Sequence, residues 1–289
     1  MNISRIERTF PSGVVDREIF VETISPEVGN GRWILILHGL GDHFGRHEWA
    51  VQFFTGLGYS VIGFDWPGNG RSGGKRGDLP ATRAVARLLE EVLTGENIRP
   101  DGILAHSTGC FFLIHAWSDK IPSLQDVRWV WLSSPLLRPD YGQAAWKIGL
   151  ARKLAKYFPE VSVSTGVRPV DCYHLHPGED PVHFRKGSHN RISFRAGLDL
   201  ILEGEKMAAP VYTEGLDLPL LITQGTDDEV CPPQFAEEFF RRLPAERATM
   251  LLIAGARHEP FREPNRAEML SQARAWLRLQ AGGLKPEEK

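Results

Sequence analysis

The sequence predicts an α/β protein: a mostly parallel central sheet with helices on both faces and one inserted cap. Three observations carry this expectation. Short apolar strand-like runs alternate with amphipathic helical stretches from Trp33 onward, the signature of parallel strands joined by helical crossovers. Between Ile103 and Trp117 an apolar strand, a His-Ser-x-Gly turn and an apolar helix follow one another without a gap. The alternation breaks once, over Arg138 to Ala209, a stretch rich in loops, prolines and aromatic residues.

Taken in order, Ile6 to Phe10 and Glu18 to Ile24 read as an N-terminal hairpin at the sheet edge. Strand Trp33 to Leu37 leads to helix Trp49 to Leu57, strand Val61 to Phe64, helix Ala84 to Leu93 and strand Gly102 to Ala105. After the helix at Phe111 to Trp117 comes strand Trp129 to Leu132. Beyond the interruption, Leu218 to Gly225 and Thr249 to Ala254 are two more buried strands, and Ala267 to Leu279 is a last amphipathic helix. Gly282-Gly283 and the charged Lys285 to Lys289 read as a frayed tail. The expected division is a core of residues 1–137 and 210–289 with residues 138–209 as cap or lid, lying over the carboxyl ends of the strands.

Chemistry concentrates at strand ends. Ile103 to Cys110 has the form of a nucleophile elbow, in which a sharp strand-to-helix turn holds Ser107 clear of the backbone. Small residues are needed two before and two after the serine, because strand and helix approach closely; Ala105 and Gly109 meet that need. A serine hydroxyl is a poor nucleophile at neutral pH and needs an imidazole to take its proton, with a carboxylate to orient that imidazole. The order nucleophile, acid, histidine is satisfied by Ser107, then Asp227 or Asp228 after strand Leu218 to Gly225, then His258 after strand Thr249 to Ala254. An oxyanion hole takes one amide from the residue after the nucleophile and one from the loop after an early strand. Those are the backbone N–H groups of Thr108 and of Leu40, the latter in the glycine-bearing loop His38 to His43.

These motifs together resemble the α/β-hydrolase superfamily and, within it, the monoacylglycerol lipase and lysophospholipase group. His38 to His43 is similar to that group's His-Gly-x-Gly-(Asp/Glu)-His loop, and Asp65 to Ser72 to its Asp-x-x-Gly-x-Gly-x-Ser turn. The resemblance continues through Ala-His-Ser-x-Gly, the strand end Ser133-Ser134-Pro135-Leu136, Asp228 and His258, covering about residues 30 to 280. It implies Asp228, three residues after the strand-ending Gly225, as the acid, leaving Asp227 as a turn or capping carboxylate. It also implies hydrolysis of a carboxylic ester with a lipid-like acyl group through an acyl-enzyme. Thioester, lactone or peptide hydrolysis on the same triad, and a silent fold that only binds a small molecule, are the alternatives. Ala105 and Cys110 stand where many members carry glycine.

Composition narrows the classes further. A formal net charge of −2 with no long basic run argues against nucleic acid as a partner, and 42% hydrophobic residues suffice for a buried sheet without disulfides. Three cysteines read as free thiols; Cys110 and Cys231, beside the elbow and the acid, suit a packed core or confer thiol sensitivity. His115 is expected to be packed or solvated, and His174 and His176 lack the cysteine or acidic neighbours of a zinc site, so no metal and no organic cofactor is implied. Met1 to Phe20 has no signal-peptide pattern, and no run of about 18 apolar residues occurs, so a cytoplasmic protein is expected. Within the cap, Ala144 to Phe158 is amphipathic. Trp146, Leu150, Leu154 and Tyr157 share one side and Arg152, Lys153 and Lys156 another, which suits either a lid helix in transient contact with a lipid surface or ordinary packing on the cap.

Overall fold

Runs such as Trp33–Leu37 and Trp129–Ser133 are apolar at every position because both faces of the sheet they enter are covered. The structure, a computed structural model, describes residues 2–174 and 187–280. The frayed tail and His176 lie outside the described residues.

The chain begins with β1 (Ile3–Ser12) and β2 (Arg17–Pro26), an antiparallel hairpin as expected but longer at both ends than the apolar alternation marks. Then follow β3 (Trp33–Leu37), α1 (Glu48–Thr55), β4 (Ser60–Phe64), α2 (Thr82–Gly95), β5 (Gly102–His106), α3 (Thr108–Ser118) and β6 (Trp129–Ser133). A long segment intervenes, with α4 (Ala145–Tyr157), β7 (Ser162–Ser164), α5 (Pro169–Cys172), β8 (Arg191–Ser193), α6 (Phe194–Lys206) and α7 (Val211–Glu214). β9 (Leu220–Gly225), α8 (Pro233–Phe240), β10 (Ala248–Ile253) and α9 (Arg266–Gln280) complete the described chain. The eight-stranded sheet runs β1-β2-β4-β3-β5-β6-β9-β10. In this sheet β4, β3, β5, β6, β9 and β10 pair in parallel, and antiparallel pairing is confined to β1 with β2 and β2 with β4.

Helices cover both faces. On one, Val85, Leu89, Phe112 and Phe239 of α2, α3 and α8 pack on the sheet; on the other, Phe53, Phe54 and Trp276 of α1 and α9 enclose Trp129 and Trp131. The switch of direction at β3 leaves the carboxyl ends of β3 and β5 side by side, the position where open α/β sheets build sites.

The segment between β6 and β9 is more ordered than its loop-rich sequence suggests. β7 and β8 form a separate two-stranded sheet, each only three residues long and so too short to show an alternation. α6, whose helical signal is diluted by Gly197 and Gly204, is capped by the Ser193 hydroxyl, which accepts from the Ala196 amide at 3.1 Å. Carboxylates fasten this segment to the core. Asp78 accepts from Ser193 Oγ at 2.8 Å and pairs with Arg195, while Asp199 accepts from the Thr82 amide and hydroxyl at 2.7 and 2.6 Å.

The elbow depends on close strand–helix approach. A methyl group at Gly109 would stand 2.5 Å from the Leu37 carbonyl oxygen and 2.8 Å from that of His38, both backbone atoms that have nowhere to go. Gly109→Ala is expected to lower the urea midpoint by an amount equivalent to about 1–3 kcal/mol, as overpacking does, measured by equilibrium unfolding.

Candidate active site

Ser107 is the one residue between β5 and α3, and it is held at φ 54°, ψ −119°. Positive φ is uncommon for a residue with a Cβ and costs of order 1–3 kcal/mol, so the surroundings must impose it. They do so from both sides: the Ser107 amide donates to the Ser133 carbonyl at 3.0 Å, and the Cys110 and Leu136 amides donate to the Ser107 carbonyl at 3.0 and 3.2 Å. The turn therefore aims Oγ away from the sheet and into a cavity.

His258 and Asp228 reach the same point from the ends of β10 and β9. His258 Nε2 lies 2.9 Å from Ser107 Oγ, and His258 Nδ1 lies 2.9 Å from Asp228 Oδ2. Asp228 and His258 are buried, at 2% and 5% exposure. Three further donors fix the carboxylate: the Val230 and Cys231 amides give to Oδ1 at 2.9 and 2.8 Å, and Gln224 Nε2 gives to Oδ2 at 2.9 Å. Burial alone would depress the His258 imidazole, but the Asp228 carboxylate outweighs it and holds the group well above its ordinary range. Of the two candidate aspartates, Asp228 is brought to His258. Asp227 faces outward, accepting from Thr226 Oγ1 at 2.9 Å, in the turn role expected for it.

The loop after β3 forms the opposite wall. A methyl at Gly39 would touch Ser107 Cβ at 2.9 Å, which shows how tightly the loop closes on the serine. Leu40 and Thr108 both border the cavity, and neither backbone N–H has an acceptor among the described residues. The turn Asp65 to Ser72 holds that loop in shape. Asn69 Oδ1 accepts from the Gly41 amide at 3.0 Å, the Trp66 indole gives to the His38 carbonyl at 2.9 Å, and the Trp66 amide gives to His38 Nε2 at 3.1 Å. Burial accordingly depresses the His38 imidazole to about 4, keeping it a neutral acceptor.

Sequence reasoning missed a buried ionic group beside the triad. Arg46 pairs with Asp42 at 2.8 Å and with Glu259 at 2.9 Å, and His47 Nε2 meets Asp42 Oδ2 at 2.9 Å. Burial opposes both charges, but Arg46 and His47 together hold the Asp42 carboxyl well below the usual range. The available signals were Asp42 within the His38 to His43 motif, Arg46 one helical turn later and Glu259 next to His258. Asp42, Arg46 and Glu259 all face the cavity that contains Ser107.

That cavity has a volume of about 380 Å³, within the range of small-molecule sites. Leu136, Ile148, Ala151, Phe194, Leu198 and Ile201 give it an apolar arm beneath α4 and α6. α4 divides its surface differently from the sequence pattern: Ile148 and Ala151 look inward and Leu154 is half-buried, while Trp146, Leu150 and Tyr157 stand 68%, 47% and 69% exposed. Cys231 is buried within reach of both Ser107 and His258, and burial raises its thiol. Cys110 packs under the elbow with its thiol on the Ala105 carbonyl. His115 is packed between Phe111 and Tyr212 and depressed by burial to about 4, and His174 pairs with Glu263 at 2.8 Å. Among the described residues there is no cluster of metal-ligating side chains and no helix long and apolar enough to cross a membrane.

Comparison with known proteins agrees with the architecture. The family model described as serine aminopeptidase, S33 (Hydrolase_4) matches residues 30–265. An uncharacterized abhydrolase domain-containing protein of Dictyostelium discoideum is 25% identical over 277 residues, covering 94% of this chain but only 29% of that longer protein. A monoacylglycerol lipase of Mycolicibacterium smegmatis is 26% identical over 289 residues, covering 95% of this chain and 97% of its own. Among solved structures, a monoacylglycerol lipase from Paleococcus ferrophilus superposes with a TM-score of 0.75 at 25% identity, over 96% of this chain and 98% of that one.

If Asp228 sets the charge of His258 as the geometry requires, the imidazole titrates above its ordinary value of 6.5. Asp228→Asn should move the titration to lower pH, because the favourable charge is gone and burial remains. Proton NMR of the imidazole across pH, in wild type and variant, measures both midpoints; coincident midpoints would remove Asp228 as the cause.

Proposed function

This chain belongs to the serine aminopeptidase S33 (Hydrolase_4) family, in its monoacylglycerol lipase-like group of α/β-hydrolases, and we propose that it cleaves carboxylic esters of lipid-like acyl groups with Ser107 as nucleophile. One observation carries the reading most: Ser107, His258 and Asp228 form an unbroken hydrogen-bonded line, opening into a cavity with an apolar arm.

In this mechanism His258 Nε2 accepts the Ser107 proton as Oγ attacks the ester carbonyl. The carbonyl oxygen becomes an oxyanion that receives the Leu40 and Thr108 amides, neither of which has another acceptor among the described residues. Asp228 stabilises the imidazolium, which then gives its proton to the departing alkoxide, leaving an acyl-serine. Water enters with its proton passing to His258, and collapse of the second tetrahedral adduct releases the acid and returns the proton to Ser107. The apolar arm under α4 and α6 suits the acyl chain, and residues 138–209 act as the cap that encloses it. Ester rather than peptide cleavage is favoured by the relatives named as monoacylglycerol lipases, despite the aminopeptidase in the family's description.

Because His258 must be neutral to act, activity is lost as pH falls through its raised midpoint, so the acid limb of kcat/KM should lie above pH 6.5. Wild type should hydrolyse p-nitrophenyl esters from acetate to palmitate and monoacylglycerols. Ser107→Ala should lose about 10³-fold or more in kcat, since removing any one triad member disables the whole unit. A variant with wild-type turnover overturns the proposed nucleophile.

The outer side of α4 further supports a transient lipid-surface contact. Trp146, Leu150 and Tyr157 are exposed next to Arg152, Lys153 and Lys156, an apolar stripe with cationic flanks. Binding to anionic phosphatidylglycerol vesicles, read by sedimentation, should weaken about tenfold in Trp146→Ala/Tyr157→Ala, with hydrolysis of soluble acetate unchanged. Equal vesicle binding by both proteins would refute the contact.

A further inference from the structure

The sheet ends on β1, a strand of ten residues whose inner edge pairs with β2 along its whole length. Its outer row of N–H and C=O groups has no ladder partner among the described residues. Ile3 through Thr9 are all exposed, and Ile6 is 50% exposed. Long regular edges of this kind are templates for another strand, and folded proteins normally blunt them with a bulge, a central proline, charged side chains or a covering loop. β1 pairs with β2 without a bulge and its only proline, Pro11, stands at the far end; what guards its centre is the charges of Arg5, Glu7 and Arg8, which a partner strand must match.

The side chains select which strand fits. In an antiparallel pair, directly opposed residues share a face and their Cβ atoms lie about 4.5–5.5 Å apart. Two copies of β1 related by a two-fold axis must therefore have that axis pass through a residue. Centred on Arg5, the pair sets Arg5 against Arg5; centred on Glu7, it sets Glu7 against Glu7. Both are like-charge contacts and destabilising. Centred on Ile6, every contact is favourable or neutral: Arg5 faces Glu7 of the other copy, Glu7 faces Arg5, Ile6 meets Ile6, and Ser4 meets Arg8.

These charges are already ordered within one copy. Arg5 is held by Glu22 at 3.0 Å and Glu48 at 2.6 Å, and Glu7 by a two-pronged contact with Arg71 at 2.9 Å on each side. Preordered side chains lose less entropy when a partner arrives. Pairing also leaves the candidate active site free, since three strands separate β1 from β5 and Ser107.

We propose that β1 is a homodimerisation edge, pairing antiparallel with β1 of a second copy about a two-fold axis through Ile6, so that two eight-stranded sheets become continuous. The partner is a second copy of this chain because, in this register, Arg5 and Glu7 each meet the opposite charge of the other copy.

The full chain with Ile6→Cys places two thiols across the axis, within easy reach of disulfide geometry, whereas Arg8→Cys places each thiol opposite Ser4. The native cysteines, Cys110, Cys172 and Cys231, are buried and do not compete. Under mild oxidation Ile6→Cys should form a covalent dimer at least about tenfold faster than Arg8→Cys on non-reducing gels. Sedimentation velocity over a concentration series should show a reversible dimer for wild type. Glu7→Lys, which opposes Lys to Arg5, should shift that equilibrium to monomer while circular dichroism confirms an intact fold. Equal cross-linking rates at the two positions, a wild type that stays monomeric throughout the series, or a dimer untouched by Glu7→Lys would each overturn the proposal.

Discussion

The strained turn at Ser107 is the constraint on which the rest of the structure depends. A serine at φ 54° is stable only if its neighbours leave no alternative, and here they are β6 on one side, the β3 loop on the other and α3 beneath. The same crowding demands glycine at 39 and 109, where a methyl group would meet Ser107 or the backbone of Leu37 and His38. The parallel sheet supplies the rigid frame. Its strands end at one level, so residues that follow β3, β5, β9 and β10 converge although they are far apart along the chain.

Around that turn, polarity is organised in two layers. The inner layer is the line Asp228, His258, Ser107, in which three donors besides His258 fix the carboxylate in place beside the imidazole. The outer layer is the group Asp42, Arg46, His47 and Glu259, buried but mutually paired. Glu259 follows His258 directly, so its pairing with Arg46 ties the histidine's loop to the loop after β3. A buried charge left without its partner costs far more than the pair contributes, which makes this group a means of fixing geometry rather than a reserve of stability.

The segment between β6 and β9 gives the site its shape. It is fastened by Asp78 and Asp199 at its α6 end and by His189, whose amide reaches the Gly41 carbonyl at 2.9 Å. α4 and α6 line the cavity with Ile148, Ala151, Phe194, Leu198 and Ile201 beside Lys147 and Gly197, and the aliphatic and aromatic side chains help keep water from the apolar arm. In a drier cavity the dipoles and charges near Ser107 act through a lower dielectric, where each is worth more than in water.

Much of this was legible in the sequence because it is written in local signals. Strand, elbow and helix from Ile103 to Trp117 are contiguous, and the glycines at 39, 41 and 109 stand in recognisable motifs, although the contacts that require them, Ser107, His189 and Leu37 with His38, come from distant segments. The order of apolar strands was enough for a parallel sheet, since only burial on both faces tolerates such runs. Other features were not legible for a common reason: they join residues with no sequence relation. Residue type alone leaves Asp227 and Asp228 equal; the family resemblance picked Asp228 by its spacing from Gly225, and the fold turns that one toward His258 and the other to solvent. The partnership of Arg46 with Glu259, distant in the chain, and the three-residue strands β7 and β8 likewise exist only once the segments are packed together. For α4 the periodicity marked an apolar stripe, but which residues face the cavity and which face water was decided by where α6 and the sheet lie, because an amphipathic pattern fixes an angle around the helix axis and not the neighbour it meets.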